Sequence, residues 1–298
     1  MEYHLLSETE RALLRRLAVF SGGWTLEAAE SVCANECREA SGILDVLTSL
    51  VDKSLVLVET QRGEARYRLL ETVRQYGGDR LEESGESGDL KRRHLGWYLA
   101  VAERATPKLR GPEQELWLER LETEHDNLRA TLAWGRMDAQ SAQAWLRLTG
   151  TLHSFWIRSE HWTEGRRWAE EALTRGNEAK PATLLRIVQS AGHLAYQQGD
   201  YERAGQLAEQ ALVLSRTLKD KEGIMWALML SGDVISERDY VTAIPLLEES
   251  FALSRDLGDK WAHRLQPPAT CGCGPGAWRL RARSDSVLGK YRPLSASG

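Results

Sequence analysis

The sequence has 298 residues and a net charge of −4 at pH 7, with 42% hydrophobic and 28% charged residues, which is typical of a globular protein of about two domains. A pI of about 6.0 excludes a global electrostatic attraction to nucleic acid or anionic membranes. We expect a cytoplasmic location, because no apolar run reaches the roughly 18 residues of a membrane span, the N-terminus opens no signal peptide, and four cysteines are too few for a disulfide framework.

The first part of the chain predicts three helices. Ser7 and Glu10 have the spacing of a capping box, which opens a helix. Thr25 is placed to cap a second helix, and an apolar helical pattern starts at about Gly42.

A short β-hairpin follows these helices. Residues 55–58 and 67–69 are strand-like and are separated by polar residues, and a further helix is predicted from about residue 71 to residue 83. Three helices followed by a hairpin predict a winged-helix domain at residues 1–86.

A winged helix raises the question of DNA binding, for which the third helix would be the reading helix. The only cation between residues 41 and 60 is Lys53. Three carboxylates share that stretch, from Asp45, Asp52 and Glu59. Phosphate contacts need Lys or Arg, and base contacts are made chiefly by Arg, Asn or Gln. We therefore favour an intramolecular packing role and keep DNA binding as the alternative.

Residues 87–262 are predicted to be helical throughout, as a linker followed by repeats. Long helical segments at about 89–106, 112–136 and 141–158 are separated by Gly, Pro or Ser. Beyond residue 150 a period of 39 residues relates three aromatic residues and, three positions later, three small ones. These residues are Trp162, Tyr201 and Tyr240, and Gly165, Ala204 and Ala243.

This period is typical of stacked helical hairpins. Asp200 and Asp239 can cap the second helix of a pair, and small residues let two helices approach closely. The pattern resembles a tetratricopeptide repeat lengthened from its usual ~34 residues. The predicted fold is all-α, a winged-helix module with a small β-hairpin followed by an α-solenoid of tetratricopeptide-like helical hairpins.

The first helix of each hairpin is expected to line a groove for a protein or peptide partner. The mixed polar and aromatic side chains suit such a surface, and the alternative is that they only solvate the groove. The predicted groove residues are Ser154, Ile157, Arg158, Gln189, His193, Tyr196, Gln197, Ile235 and Ser236.

Five stretches resemble bacterial signal-transduction ATPases of the STAND class, including regulators described as LuxR-type. The stretches are LAVFSGGWTLEAAE at 17–30, LVDKSLV at 50–56, YRLLETVRQY at 67–76, RH at 93–94 and ETEHDNLRA at 122–130. The resemblance implies a nucleotide-binding domain followed by a winged helix that packs against it, and then repeats that sense a ligand or partner. The implied function is a regulatory and sensor fragment, with a free-standing tetratricopeptide scaffold as a further alternative.

The sequence departs from that family by containing no G-x-x-x-x-G-K-[ST] motif, so no ATP-binding residue is carried over. We expect no enzyme activity, cofactor or metal. Cys33 and Cys37 lie four residues apart, but zinc needs more ligands than two, so inert thiols are favoured. His125 and Asp126 are interpreted as caps or inter-helix hydrogen-bonding residues, because adjacent helical side chains do not face each other.

Residues 263–298 lack helical periodicity. One permitted codon spelling of Trp278–Arg283, read one base later, encodes the string Gly-Asp-Tyr-Glu-Arg-Ala found at residues 199–204. We interpret this tail as irregular, either disordered or frameshifted, with a Cys-x-Cys metal site at Cys271 and Cys273 as the alternative.

Overall fold

A computed structural model describes residues 5–34, 41–61 and 63–258. The chain divides into two compact units, Met1–Leu152 and His153–Gly298. The predicted tail at 263–298 and Cys37 lie outside the described residues.

The first unit begins with the predicted winged helix. Its capping box is confirmed, because the Glu10 amide donates to Ser7 Oγ at 3.2 Å and the Ser7 amide donates to Glu10 Oε2 at 2.7 Å. Thr25 Oγ1 accepts from the Ala28 amide at 3.3 Å and caps the second helix, as predicted. The helices are α1 (Glu8–Leu17), α2 (Leu26–Cys33), α3 (Ser41–Asp52) and α4 (Glu71–Ser84).

The sheet contains one strand more than the predicted hairpin. Strands β2 (Val56–Gln61) and β3 (Glu64–Leu69) form the hairpin, and β1 (Trp24–Thr25) pairs antiparallel with β3 to give the order β1-β3-β2. Two residues cannot show an alternating pattern, so β1 was not predictable from periodicity. The largest core side chains here include Phe20, Trp24, Leu14, Leu17, Leu47 and Leu50.

Four further helices complete the first unit. They are α5 (Ser87–Lys108), α6 (Gln114–Thr123), α7 (His125–Gly135) and α8 (Ala142–Thr151). The predicted segment 112–136 is thus two helices separated at Glu124. The sequence predicted a domain boundary after residue 86, whereas the compact unit extends to Leu152. The unit is longer because α5–α7 pack against the winged helix through buried contacts described below.

The second unit is a series of helices in which each packs against the next, and α11 also packs against α13. They are α9 (His153–Arg158), α10 (Trp162–Thr174), α11 (Pro181–Gln197), α12 (Tyr201–Leu218), α13 (Lys221–Ser236) and α14 (Tyr240–Asp256). The predicted segment 141–158 is divided at Leu152 into α8 and α9. The helices form the tetratricopeptide-like hairpins that the sequence predicted.

The predicted caps of the repeats are confirmed. Asp200 accepts from the Arg203 amide at 3.2 Å, and Asp239 accepts from the amides of Val241 and Thr242 at 3.1 and 3.3 Å. These bonds satisfy amide groups that the first turn of a helix leaves unpaired.

The 39-residue period has a structural explanation in the hairpins. The three aromatic residues each open the second helix of a pair, at the starts of α10, α12 and α14. The three small residues are buried. A Cβ atom added to Gly165 would lie 2.5 Å from Trp156 Cγ, so the helices are too close for a larger residue. The core between the helices of the second unit includes Ala169, Leu185, Val188, Ala191, Leu207, Ala211 and Ala227.

Among the described residues, no helix combines the length and the apolar character needed to span a bilayer.

Candidate functional site

Helix α3 presents one polar face to solvent. Ile43, Leu47 and Leu50 are buried on its inner side. The outer side is exposed and carries Leu44, Asp45, Thr48 and Asp52, which we call the α3 face. In the part of the chain that the structure describes, neither aspartate of this face has an ion-pair partner.

The cation nearest to the α3 face in sequence is already neutralised. Lys53 Nζ donates to the Glu10 carboxylate of α1, and Ser49 Oγ donates to Glu10 Oε1 at 2.6 Å. These bonds, that from Lys53 above all, lower the pKa of Glu10 to about 2. Glu10 therefore carries a full negative charge at neutral pH and holds the Lys53 ammonium group.

Most other cations of the winged helix also pair with carboxylates within the first unit. A paired guanidinium is less available to neutralise a phosphate. Among the described residues these pairs are Arg15–Glu86, Arg16–Glu86, Arg66–Glu124, Arg68–Glu59, Arg74–Glu71 and Arg80–Glu83.

A buried polar network joins the winged helix to α7. Asn127 has no solvent exposure. Its Oδ1 accepts from the Ser21 amide at 2.8 Å, and its Nδ2 donates to Gly23 O at 2.8 Å and to Glu124 Oε2 at 2.9 Å. One side chain thus fixes the turn between α1 and β1 against the start of α7.

Glu124 is the second centre of this network. Arg66 of β3 donates to Glu124 Oε1 and, through Nη2, to Thr123 O at 3.0 Å. Tyr98 of α5 donates its hydroxyl to Glu124 Oε2 at 2.8 Å, and burial together with the Glu124 charge raises the Tyr98 pKa. The break between α6 and α7 therefore places this carboxylate between the sheet and α5.

His94 of α5 extends the contact. Its ring packs 5.2 Å from Phe20 and 4.7 Å from Tyr98, and its Nδ1 is 2.8 Å from Thr131 Oγ1. Burial lowers the pKa of His94 to about 3, so the ring is neutral at pH 7. The sequence placed His94, Glu124 and Asn127 in family-like stretches, but their contact was not predicted.

The predicted groove residues lie on three helices of the second unit. Ser154, Ile157 and Arg158 are half-buried on α9, and His193, Tyr196 and Gln197 are half-buried on α11, as is Ile235 on α13. Their role as a binding surface stays a prediction.

Two of the predicted groove residues form hydrogen bonds within the second unit. Gln189 Nε2 donates to Gly223 O at 3.1 Å and joins α11 to the start of α13. Ser236 is buried, and its hydroxyl donates to Asp233 O at 2.8 Å.

Among the predicted groove residues, His193 has a shifted pKa. Its ring lies 5.4 Å from that of His153 on α9. Burial, with a smaller effect of the Arg158 charge, lowers the pKa of His193 to about 4. The imidazole is therefore neutral at pH 7 and can offer both a donor and an acceptor.

The Cys33 thiol is buried, and this burial raises its pKa to about 12. A thiol with this pKa is protonated at neutral pH, while the thiolate is the form that binds metals. Cys33 thus fits the inert-thiol interpretation.

Comparison with known families identifies the first domain. Residues 6–82 match the winged helix-turn-helix domain family. This match agrees with the order of helices and strands in α1–α4 and β1–β3, and the predicted winged-helix fold is confirmed.

Longer relatives occur in mycobacteria. The chain is 37% identical over 265 residues to proteins of Mycobacterium bovis and Mycobacterium tuberculosis named "Putative HTH-type transcriptional regulator". The match covers 86% of this chain and 30% of those proteins, so the chain spans less than a third of their length. A second protein of M. tuberculosis, uncharacterised, is 55% identical over 84 residues, which is 28% of this chain and 21% of that protein.

Among solved structures, the chain aligns with a STAND protein with a tetratricopeptide repeat sensor from Pyrococcus horikoshii. The sequence identity is 15%, the TM-score is 0.37, and the alignment covers 95% of this chain and 50% of the other.

Proposed function

We propose that this chain is a non-catalytic regulatory and sensor portion of a STAND-type signalling protein or transcription regulator. The winged helix acts through contacts with another protein domain, for which the resembled family suggests a nucleotide-binding domain. The repeats recognise a protein or peptide partner. The observation that carries the proposal is the α3 face, where two aspartates stand in the place of the cations that a DNA-reading helix needs.

The charge pattern of the winged helix supports a protein partner over DNA. A DNA-binding domain neutralises phosphates with cations that are free to reach them. Here Lys53 is held by Glu10, and Arg66 is held by Glu124 within the network that joins the winged helix to α7. These two cations stabilise the first unit and contribute little positive potential at the α3 face.

The helical hairpins support partner recognition by the second unit. Tetratricopeptide-like hairpins expose one helix of each pair along an extended surface. The half-buried side chains of α9 and α11 include the neutral imidazole of His193 and the guanidinium of Arg158, which suit hydrogen bonding to a peptide.

DNA binding by the winged helix is the second candidate function. It is favoured by the family match of residues 6–82 and by the mycobacterial relatives, whose names contain "HTH-type transcriptional regulator". In such domains the second helix of the motif enters the major groove.

A gel-shift experiment with salt titration separates the two candidates. The full chain is mixed with labelled DNA duplexes at about 50 to 300 mM salt. One set of duplexes has random sequence, and the other has the sequence of the DNA upstream of the gene that encodes the chain. We expect no binding tighter than about 100 µM at 150 mM salt. The double variant Asp45→Lys/Asp52→Lys is the positive control and should gain affinity. Tight binding by the unmodified chain with a steep salt slope, weakened by Lys53→Ala, would overturn the proposal.

A further inference from the structure

We infer that the α3 face is a docking surface for a basic protein segment that also carries an apolar side chain. This inference rests on the proposed function, since it names the surface and the chemistry through which the winged helix meets its protein partner.

The α3 face has the layout of a small protein interface. Leu44 is 44% exposed at the N-terminal end of the face, and the Thr48 hydroxyl, one turn later, donates to the backbone Leu44 O at 2.8 Å. Asp45 and Asp52 lie seven residues apart and therefore on the same side of the helix. Exposed apolar side chains flanked by polar ones are common in protein interfaces.

The charge of the face selects a basic partner. Asp45 and Asp52 contribute two negative charges, and Lys53 does not offset them because Glu10 neutralises it. A partner with Lys or Arg at the matching spacing gains attraction and faster association. The carboxylates repel DNA phosphates.

A second copy of this chain does not fit the α3 face. In a two-fold symmetric dimer the same patch meets itself. Asp45 and Asp52 of one copy would then face the same aspartates of the other, and like charges in contact are unfavourable. The occupant is therefore a different surface.

The test uses a displayed library of random peptides about 12 residues long, selected on the full chain at 150 mM salt and counter-selected on Asp45→Lys/Asp52→Lys. We expect enriched peptides with two or more Lys or Arg together with a Leu, Phe or Met. By fluorescence polarisation, the double variant should weaken their binding by about tenfold or more, and Leu44→Ser by about fivefold.

Two matched controls stand on exposed positions away from the face. Asp79→Lys on α4 reverses a charge, and Leu116→Ser on α6 removes an exposed apolar side chain. Both should leave binding within about twofold. Circular dichroism melting curves check that every variant is folded.

Three results would overturn the inference: no basic consensus, equal binding to the double variant, or equal loss in the Asp79 control. If peptides are enriched but lose binding only on His193→Ala or Tyr196→Ala, they occupy the repeats, and the α3 inference fails while the proposed function stands. A gel shift by the unmodified chain instead overturns the proposed function itself.

Discussion

Asn127→Ala tests whether the winged helix and helices α5–α8 form one cooperative unit. The substitution removes three hydrogen bonds, to the Ser21 amide, to Gly23 O and to Glu124 Oε2. It leaves the helix intact, because alanine is a strong helix former.

The magnitude follows from where each partner lies. Ser21 is exposed, so water can replace its bond. Gly23 and Glu124 are buried, but Gly23 O still accepts from Arg66 Nη2 at 3.3 Å and Glu124 Oε2 still accepts from the Tyr98 hydroxyl at 2.8 Å, so neither oxygen is left unpaired. Each hydrogen bond lost costs about 0.5–1.5 kcal/mol net. We therefore expect a loss of about 1–3 kcal/mol, which a domain with a typical stability of about 5–15 kcal/mol survives.

The assay is hydrogen exchange read by mass spectrometry on peptides, together with urea unfolding. Exchange should accelerate in residues 5–34 and 63–86 as well as around α7, because the winged helix loses its attachment. Gln189→Ala is the matched control, since it removes one bond in the second unit and should cost about 1 kcal/mol or less.

The reasoning is refuted if Asn127→Ala accelerates exchange only near α7 and leaves the winged helix unchanged. Residues 1–86 would then be an independent domain, as the sequence alone suggested, and the network would have no coupling role.

Two further predictions concern packing and pH. Gly165→Ala should destabilise the second unit by about 1–3 kcal/mol in urea unfolding, because its Cβ would lie 2.5 Å from Trp156, whereas Gly205→Ala, with 3.6 Å to its nearest neighbour, should be neutral or stabilising by up to about 1 kcal/mol. Because its folded pKa of about 2 is below the unfolded value of about 4.3, Glu10 adds stability above the unfolded pKa and loses it as the pH falls towards 2. Glu10→Gln should therefore lower the free energy of unfolding by about 2 kcal/mol at pH 7, a value already reduced for solvent screening at the half-exposed Lys53. This loss should shrink progressively between pH 4 and pH 2. A loss that does not depend on pH would contradict the assigned cause.

Features fixed by neighbouring residues were predictable from the sequence. The caps at Ser7, Thr25, Asp200 and Asp239 all depend on a side chain and an amide two or three residues apart. The 39-residue period was visible for the same reason, since each copy repeats the same local packing requirement.

Features that depend on distant partners were not predictable. Strand β1 exists because Trp24 and Thr25 pair with Tyr67 and Arg66 of β3. The helical pattern runs through Glu124, and nothing local shows that its side chain leaves the helix surface for a network with Arg66 and Tyr98. Buried polar contacts of this kind need the fold before their members can be identified.

The aspartates of the α3 face are visible in the sequence, but the net charge of the face is not. Lys53 lies next to Asp52 along the chain, which alone would suggest a locally balanced charge. The structure pairs Lys53 with Glu10, 43 residues earlier. The Lys53 charge is therefore neutralised at the contact between α1 and α3 and does not offset the two aspartates of the α3 face. The same pair that stabilises the winged helix therefore determines which partners its exposed helix can accept.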